Sequence, residues 1–279
     1  MSLLRISVLD VGHGDFIYAM TPAGQALVID CGSGDVVPAN FLRNVTTISE
    51  LQISHPHTDH FDDIIAMSKK TISSFRCPRL DNFTDDVIGW KSRDKAKIQK
   101  LRDMKRTLRS DDNAVPVGNG FSHSVWAPEN IDANNPNSAS YVTILSYGSF
   151  KMLFGGDLPD SGWKDLLKKP GFVTAISGTT IVKVSHHGRK EGRSSDLFNR
   201  ISPKLCIISD KAIDNTNENT EATNWYTARS SGCKVRLSGG MMGDRKVLTT
   251  RNDKSIHIQA NSRGEFWVFA DTRWKDTPA

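Results

Sequence analysis

Apolar residues come mostly in short runs rich in Val, Ile and Leu, each closed by a polar residue or a turn. Residues 3–10 (LLRISVLD) and 25–31 (QALVIDC) predict two strands, separated by a turn at Thr21-Pro22-Ala23-Gly24. Further strands are predicted over 49–54 (SELQIS), 121–127, 140–147 (SYVTILSY), the run FKMLFGGD that ends on Asp157, TTIVKVS just before His186-His187, and 203–209 (PKLCIIS). KVRLS, KVLTT, SIHIQ and EFWVF read as short strands toward the end. Helical signals are fewer. Residues 62–70 start acidic and read as a helix, as do residues 160–169. Residues 85–109 form a long polar helical pattern, with Ile98, Leu101, Met104 and Leu108 as its apolar stripe. Residues 211–224 (KAIDNTNENTEATN) are polar and predict a loop. No Gly/Pro/Ser-rich linker and no internal repeat divides the chain. The expectation is one α/β domain over 1–279, with a basic helical insertion at about 85–110.

The strands stop at residues that can bind metal: Asp10, Asp30, the 55–60 cluster, Asp157 and His186. Strand ends on one edge of a sheet are where an α/β protein collects its site. The densest stretch is ISHPHTDHFDDI, residues 53–64. It places His55, His57, Asp59 and His60 within six positions, using three of the chain's eight histidines. Imidazole and carboxylate are the usual ligands of zinc and its first-row neighbours. A tight turn after the strand would fan these four side chains around two ions, with Pro56 keeping His55 extended. Asp157 and the pair His186/His187 can close the shell, since a carboxylate can give one oxygen to each of two cations. Asp15 and Asp30 can accept hydrogen bonds from such imidazoles, or simply satisfy loop amides. His13 is a candidate for the edge of the site, and His123 reads as a partly buried strand histidine.

Composition narrows the class without choosing a function. The 279 residues are 38% hydrophobic and 24% charged, which is ordinary globular usage, with a net charge of +5. The four cysteines are widely spaced and form no CxxC pair, which points to reduced thiols and a cytoplasmic location. The N-terminal residues lack the apolar core of a signal peptide, and no apolar run reaches membrane-spanning length, so no membrane partner is expected. The basicity is local. Residues 91–109 carry nine basic side chains against two acidic ones, an excess larger than that of the whole chain. Lys91, Arg93, Lys97, Arg102, Lys105 and Arg106 are therefore candidate contacts to a nucleic-acid backbone, with Trp90 placed to stack on a base. The competing reading is a solvated helix with a core tryptophan.

HPHTDH resembles the metal motif of the metallo-β-lactamase fold. LDVGHGD, NSASYVTI, MLFGGDL and VKVSHHG, in that order, resemble more narrowly the soluble hydrolase domain of ComEC-type competence proteins and their stand-alone relatives. The likeness runs from about residue 4 to residue 260. It implies an αββα sandwich, two facing mixed β-sheets flanked by helices, with a dinuclear metal site on one edge. By position it gives His55 and His57 to a first metal, Asp59 and His60 to a second, and Asp157 to both. His186 or His187 completes the second site, and His186 is preferred because it comes first after the strand. Asn137 stands where many such enzymes have another histidine, His13 where glutamine is usual, and Arg189 where serine follows HHG. The family's late histidine-proline motif is missing, and NTNENTEATNWY stands in its place.

The resemblance implies two divalent ions, zinc or manganese, and hydrolysis by hydroxide attacking phosphorus. Asp59, Asp157, Asn137 and Arg189 are the candidate catalytic residues. Arg189 and Lys190 could bind a phosphate oxygen. The leading expectation is a phosphodiesterase or nuclease cleaving DNA or RNA, with a role as a bacterial defence effector permitted by the resemblance. The alternatives are a small-molecule hydrolase (cyclic-nucleotide or phosphorylcholine esterase, lactonase or β-lactamase type) on the same metals, and a binding module with a dead site.

Overall fold

A computed structural model describes residues 2–84, 87–88, 94–211 and 218–270. The chain opens with an antiparallel meander of β1 (Leu4–Val8), β2 (Ile17–Met20) and β3 (Ala26–Ile29). Helix α1 (Pro38–Phe41) leads to β4 (Thr47–Gln52), and α2 (Thr58–Phe61) and α3 (Ile64–Met67) lead to β5 (Thr71–Arg76). Strands β3, β4 and β5 lie parallel. After α4 (Lys95–Thr107) a second meander follows: β6 (Phe121–Trp126), β7 (Val142–Tyr147) and β8 (Phe150–Phe154). Then come α5 (Asp160–Leu166), α6 (Pro170–Ile176), β9 (Ile181–Lys183), α7 (Ser195–Phe198), β10 (Leu205–Ile208) and α8 (Glu218–Thr227). The last elements are β11 (Cys233–Leu237), β12 (Met242–Arg245), β13 (Val247–Thr249), α9 (Thr250–Asp253), β14 (Ile256–Ala260) and β15 (Phe266–Ala270).

The strands form two mixed sheets, ordered β12-β11-β15-β14-β1-β2-β3-β4-β5 and β13-β10-β9-β8-β7-β6. The alternation in β1 explains the layering. Leu4, Ile6 and Val8 point inward to meet Leu145, Phe150, Met152 and Phe154 of the other sheet, with Ser7 and Arg5 between them facing away. Strands β9 and β10 are buried along their whole length, as expected of parallel strands covered on both faces. Two further apolar clusters lie outside the sheets. One sits under α3 and α4 with Phe61, Met67, Ile98 and Leu101. The other lies under α5, α6 and α8 with Trp163, Phe172 and Tyr226. The architecture is the αββα sandwich. Among the described residues no helix is long and apolar enough to cross a membrane.

Several elements differ from the sequence reading. The helix expected over 62–70 is only one short helix, α3, and another, α2, precedes the expected start. Helix α2 begins at Thr58, inside the histidine cluster, and α3 ends at Met67. The loop expected over 211–224 is helical from Glu218, with residues 212–217 outside the described residues. Burial decides here against the polar composition. Ala222 and Tyr226 enter the outer core, and Trp225 packs edge-on to Phe198 at 5.3 Å with Arg229 stacked over the Trp225 ring at 3.7 Å. The basic helix covers only Lys95–Thr107, and Trp90, Lys91 and Arg93 lie outside the described residues.

Candidate metal centre

The residues singled out at strand ends meet at one edge of the sandwich. From the first sheet come Asp30 after β3 and residues 54–60 after β4. From the second come Asp157 after β8, His187 after β9 and Ser209 after β10. The Tyr141 amide donates to the Ser54 carbonyl at 3.0 Å and the Asp157 amide to the Ser140 hydroxyl at 3.1 Å, which holds the two sets of loops together.

Asp30 is fully buried in a left-handed conformation (φ 61°) and organises the first set. Its carboxylate accepts from the Ser54 amide (2.6 Å), the Ser54 hydroxyl (2.7 Å) and His60 Nδ1 (2.7 Å). A carboxylate facing so many donors acts as the acceptor, so His60 carries its proton on Nδ1 and presents the Nε2 lone pair. His187 is fixed in the same sense, because its Nδ1 donates to the Ser209 carbonyl at 2.8 Å. The two Nε2 atoms stand 3.4 Å apart. Asp157 places Oδ1 3.4 Å from His60 Nε2 and Oδ2 3.3 Å from His187 Nε2, and Asp59 Oδ2 lies 3.7 Å and 3.5 Å from the same nitrogens. Two imidazole nitrogens and two carboxylates thus converge, and among the described residues Asp157 Oδ1 has no hydrogen bond. Only a positive charge, a proton or a metal ion, balances such a set.

The electrostatics agree. Burial alone would lower the pKa of His187, but Asp157 and Asp59 outweigh it and lift it to about 9. Burial also opposes charge on His60, and Asp157, Asp30 and Asp59 push it well up. Burial would raise Asp157, yet the surrounding His187, His60 and His55 hold it well below the usual carboxylate range. Protons do here what a cation does better. Beside this group lie His55 and His57. Burial pushes both down toward the neutral imidazole that metals bind. His55 Nε2 lies 3.1 Å from His57 Nδ1 and 3.8 Å from Asp157 Oδ2. The donor set fits divalent cations, with Asp157 facing both groups.

The neighbouring histidines divide differently from the sequence preference. His186 and His187 both adopt left-handed backbone (φ 50° and 51°), followed by Gly188 at φ 79°. That turn carries His187 into the carboxylate cluster. It leaves His186 against Asn137, whose Nδ2 lies 3.4 Å from His186 Nε2 and whose Oδ1 is buried without a partner. The backbone is left-handed at both residues, so order along the strand does not decide which ring enters the cluster. His13 lies at the rim, its ring 4.4 Å from that of His187 and its Nε2 3.6 Å from Asp59 Oδ2. Arg189 reaches His13 at 3.5 Å, and both, with Lys190, His186 and Asp210, line a cleft of about 550 Å³ that opens beside His187. Asp10 is not in the cluster and pairs with Lys254 at 3.5 Å. His123 lies away from it, near Glu50 at 3.8 Å.

The proposed nucleic-acid contacts are not gathered in the same way. Lys97 pairs with Asp62 and, at 3.7 Å, with Asp94. Lys105 donates to the Cys77 carbonyl at 2.6 Å, and Arg106 to Asp103 at 3.2 Å. Arg102, Lys105 and Arg106 line a second cleft, of about 490 Å³, together with Arg79. Two contributors to the centre, Ser54 and the Ser209 carbonyl, escaped the sequence reading, as did Lys183, buried behind it and paired with Asp15. A lysine inside the apolar run TTIVKVS was the one visible signal among them.

No family model and no curated protein matches the chain. Solved structures do. The metallo-β-lactamase fold protein YhfI from Bacillus subtilis superposes with a TM-score of 0.51 at 12% identity, over 96% of this chain and 100% of that one. A diphosphatase from the PhnP family gives 0.45 at 12% identity over 92% and 98%, and Zn(2+)-bound PqqB from Methylobacterium extorquens gives 0.41 at 9% over 78% and 76%. The chain has the metallo-β-lactamase fold. At these identities the likeness speaks for the fold alone.

Proposed function

We infer that the protein is a metal-dependent hydrolase holding two divalent ions, zinc or manganese, and that it acts as a phosphodiesterase on nucleic acid. One observation carries this reading: His60 and His187 turn their Nε2 atoms toward Asp59 and Asp157 while their Nδ1 atoms are engaged by Asp30 and the Ser209 carbonyl, which leaves the Nε2 atoms to a cation. His55, His57 and Asp157 would hold one ion, and Asp59, His60, His187 and Asp157 the other. Such ions supply the Lewis acidity that makes water a nucleophile near neutral pH and that balances charge growing on a phosphoryl oxygen. The chain supplies the rest. Asp30 and Ser209 hold the two rings in one tautomer and one orientation. Asn137 presents an amide where a further histidine is common, so it can hold a substrate oxygen. Arg189 is exposed at the mouth of the adjoining cleft, where its fork suits two oxygens of a phosphate. The motif order supports a ComEC-like specificity, and the cations of α4 support a polyanionic substrate.

A second reading has its own support. Lys97, Lys105 and Arg106 are engaged by their own chain, and the 550 Å³ cleft has the size of a small-ligand site. That favours a small phosphodiester or another ester. The deciding experiment is cleavage of single-stranded DNA, duplex DNA and RNA by protein loaded separately with zinc and manganese, with Asp157→Ala and His57→Ala run alongside. Cleavage lost in both variants supports the nuclease. No cleavage with two ions demonstrably bound sinks it in favour of the small ester, and a protein that binds no divalent ion sinks both.

A further inference from the structure

Directly behind the candidate centre lies a second acid cluster. Asp15, Asp30 and His60, all buried, offer ligand atoms within 4.8 Å of one another. Its cation is already present and belongs to the chain. Lys183, the last residue of β9, is 0% exposed, and its ammonium pairs with the Asp15 carboxylate, itself 1% exposed. Lysine is almost never fully buried unless paired, and a buried pair adds little stability over apolar residues of the same volume, while losing one partner costs a great deal.

Two lines connect this pair to the proposed ligands. The first runs through Asp30. Asp15 and Asp30 are like charges close together, and Lys183 balances Asp15, which leaves Asp30 to its donors on Ser54 and His60. The second runs through the backbone. Asp15 closes the glycine loop of VGHGD, and its carbonyl accepts from the Gly32 amide at 2.8 Å. A Cβ on Gly14 would stand 2.2 Å from the Asp59 carbonyl oxygen, and one on Gly32 would stand 2.1 Å from it. The loop that Lys183 anchors is therefore pressed against the backbone of Asp59. Lys183 comes from one sheet and Asp15, Asp30, Asp59 and His60 from the other, so the pair also sets the spacing between the two halves of the centre.

We propose that Lys183 is the resident cation of this inner cluster, and that the Lys183–Asp15 pair is a positioning device for Asp59 and His60. The proposal rests on the reading of the outer cluster as a metal centre. It explains how two adjacent acid–imidazole clusters coexist: an ammonium fills the inner one, so divalent ions go to the outer one.

The test measures metal affinity by competition with a chromophoric chelator, together with the visible absorption spectrum of the cobalt-loaded protein. The variants are Lys183→Met, Asp15→Asn and the double substitution. Each single change leaves one buried charge without its partner. Each is expected to weaken binding about tenfold or more and to alter the cobalt spectrum. The double change removes both charges and is expected to bring affinity and spectrum back toward wild type. A mere long-range charge effect predicts opposite signs, tighter binding without the lysine and weaker binding without the aspartate. That pattern, or single variants that bind like wild type, or a double variant no better than the singles, overturns the proposal. If the single variants do not fold, Asp15→Glu keeps both charges and shifts the pair by one methylene. It is expected to weaken binding and alter the cobalt spectrum, and wild-type affinity with a wild-type spectrum would overturn the proposal. A wild-type protein that binds no metal sinks the metal reading itself, so the two failures are told apart.

Discussion

The histidine cluster and the basic helix looked alike in the sequence, since each is a local excess of one chemical type. In the fold they are opposites. At the cluster, side chains from four strand ends point at one another, with their second hydrogen-bonding atoms tied down by Asp30, Ser54 and the Ser209 carbonyl. Along α4 three of the cations are met individually, Lys97 by Asp62, Lys105 by the Cys77 carbonyl and Arg106 by Asp103, while Arg102, Lys105 and Arg106 line a cleft of their own with Arg79. Local density is thus weak evidence for a site. Convergence from distant parts of the chain, with the supporting atoms already satisfied, is stronger evidence.

The sharpest way to break this contrast is to exchange the neighbours. His187→Ala should weaken divalent-metal binding by more than the roughly 100-fold that losing a supporting partner costs, whereas His186→Ala should change it little. Isothermal titration of both variants decides it, and equal losses would mean that the turn places both rings on metal.

A second test uses histidines outside the cluster. Burial lowers the pKa of His257, beside the Ser7 hydroxyl on β1, to about 4, and burial lowers His123 to the same value. A histidine depressed in the folded state contributes stability above its unfolded pKa of about 6.5 and loses it as pH falls toward 4. Between pH 7 and pH 5 His257 should account for roughly 2 kcal/mol of lost stability. Urea melts should therefore show His257→Gln losing less stability than wild type across this window. An unchanged pH dependence would remove His257 from the account.

The smallest effect is expected on α4. Replacing exposed Arg106 with Gln should lower the salt dependence of DNA binding by about one unit of slope if that side chain meets a phosphate. An unaltered slope would leave α4 as a structural helix that packs on the sheet through Ile98, Leu101 and Met104.

Much of the fold was legible because strands with one buried face alternate, and because Gly and Pro punctuate them. The ends of β1, β3, β4, β8 and β9 were placed to within a few residues. What escaped was set by tertiary contact. Strand β5 (TISSFR) has the polarity of a loop and is a strand because it pairs parallel with β4. Helix α8 has poor intrinsic propensity and is held by the burial of Tyr226. At the site, residue types and order could be read directly, since metals need imidazole and carboxylate. Which of His186 and His187 lies beside Asp59 and Asp157 could not, because it depends on a left-handed turn, and left-handed histidines leave no mark in composition. Lys183 was hidden for a related reason: a buried ion pair is visible only when both partners have been brought together.

The place of β1 in its sheet has a consequence for how the chain comes into being. It hydrogen-bonds to β2 on one side and to β14 on the other, with Leu4 opposite Ala260 and Val8 opposite Ile256. During synthesis the first strand therefore waits, one edge open, until residues 256–260 emerge. Closing so long a loop is slow, and an uncovered strand edge is a template for pairing with other chains. That edge of β1 is covered only by a strand made much later in the same chain.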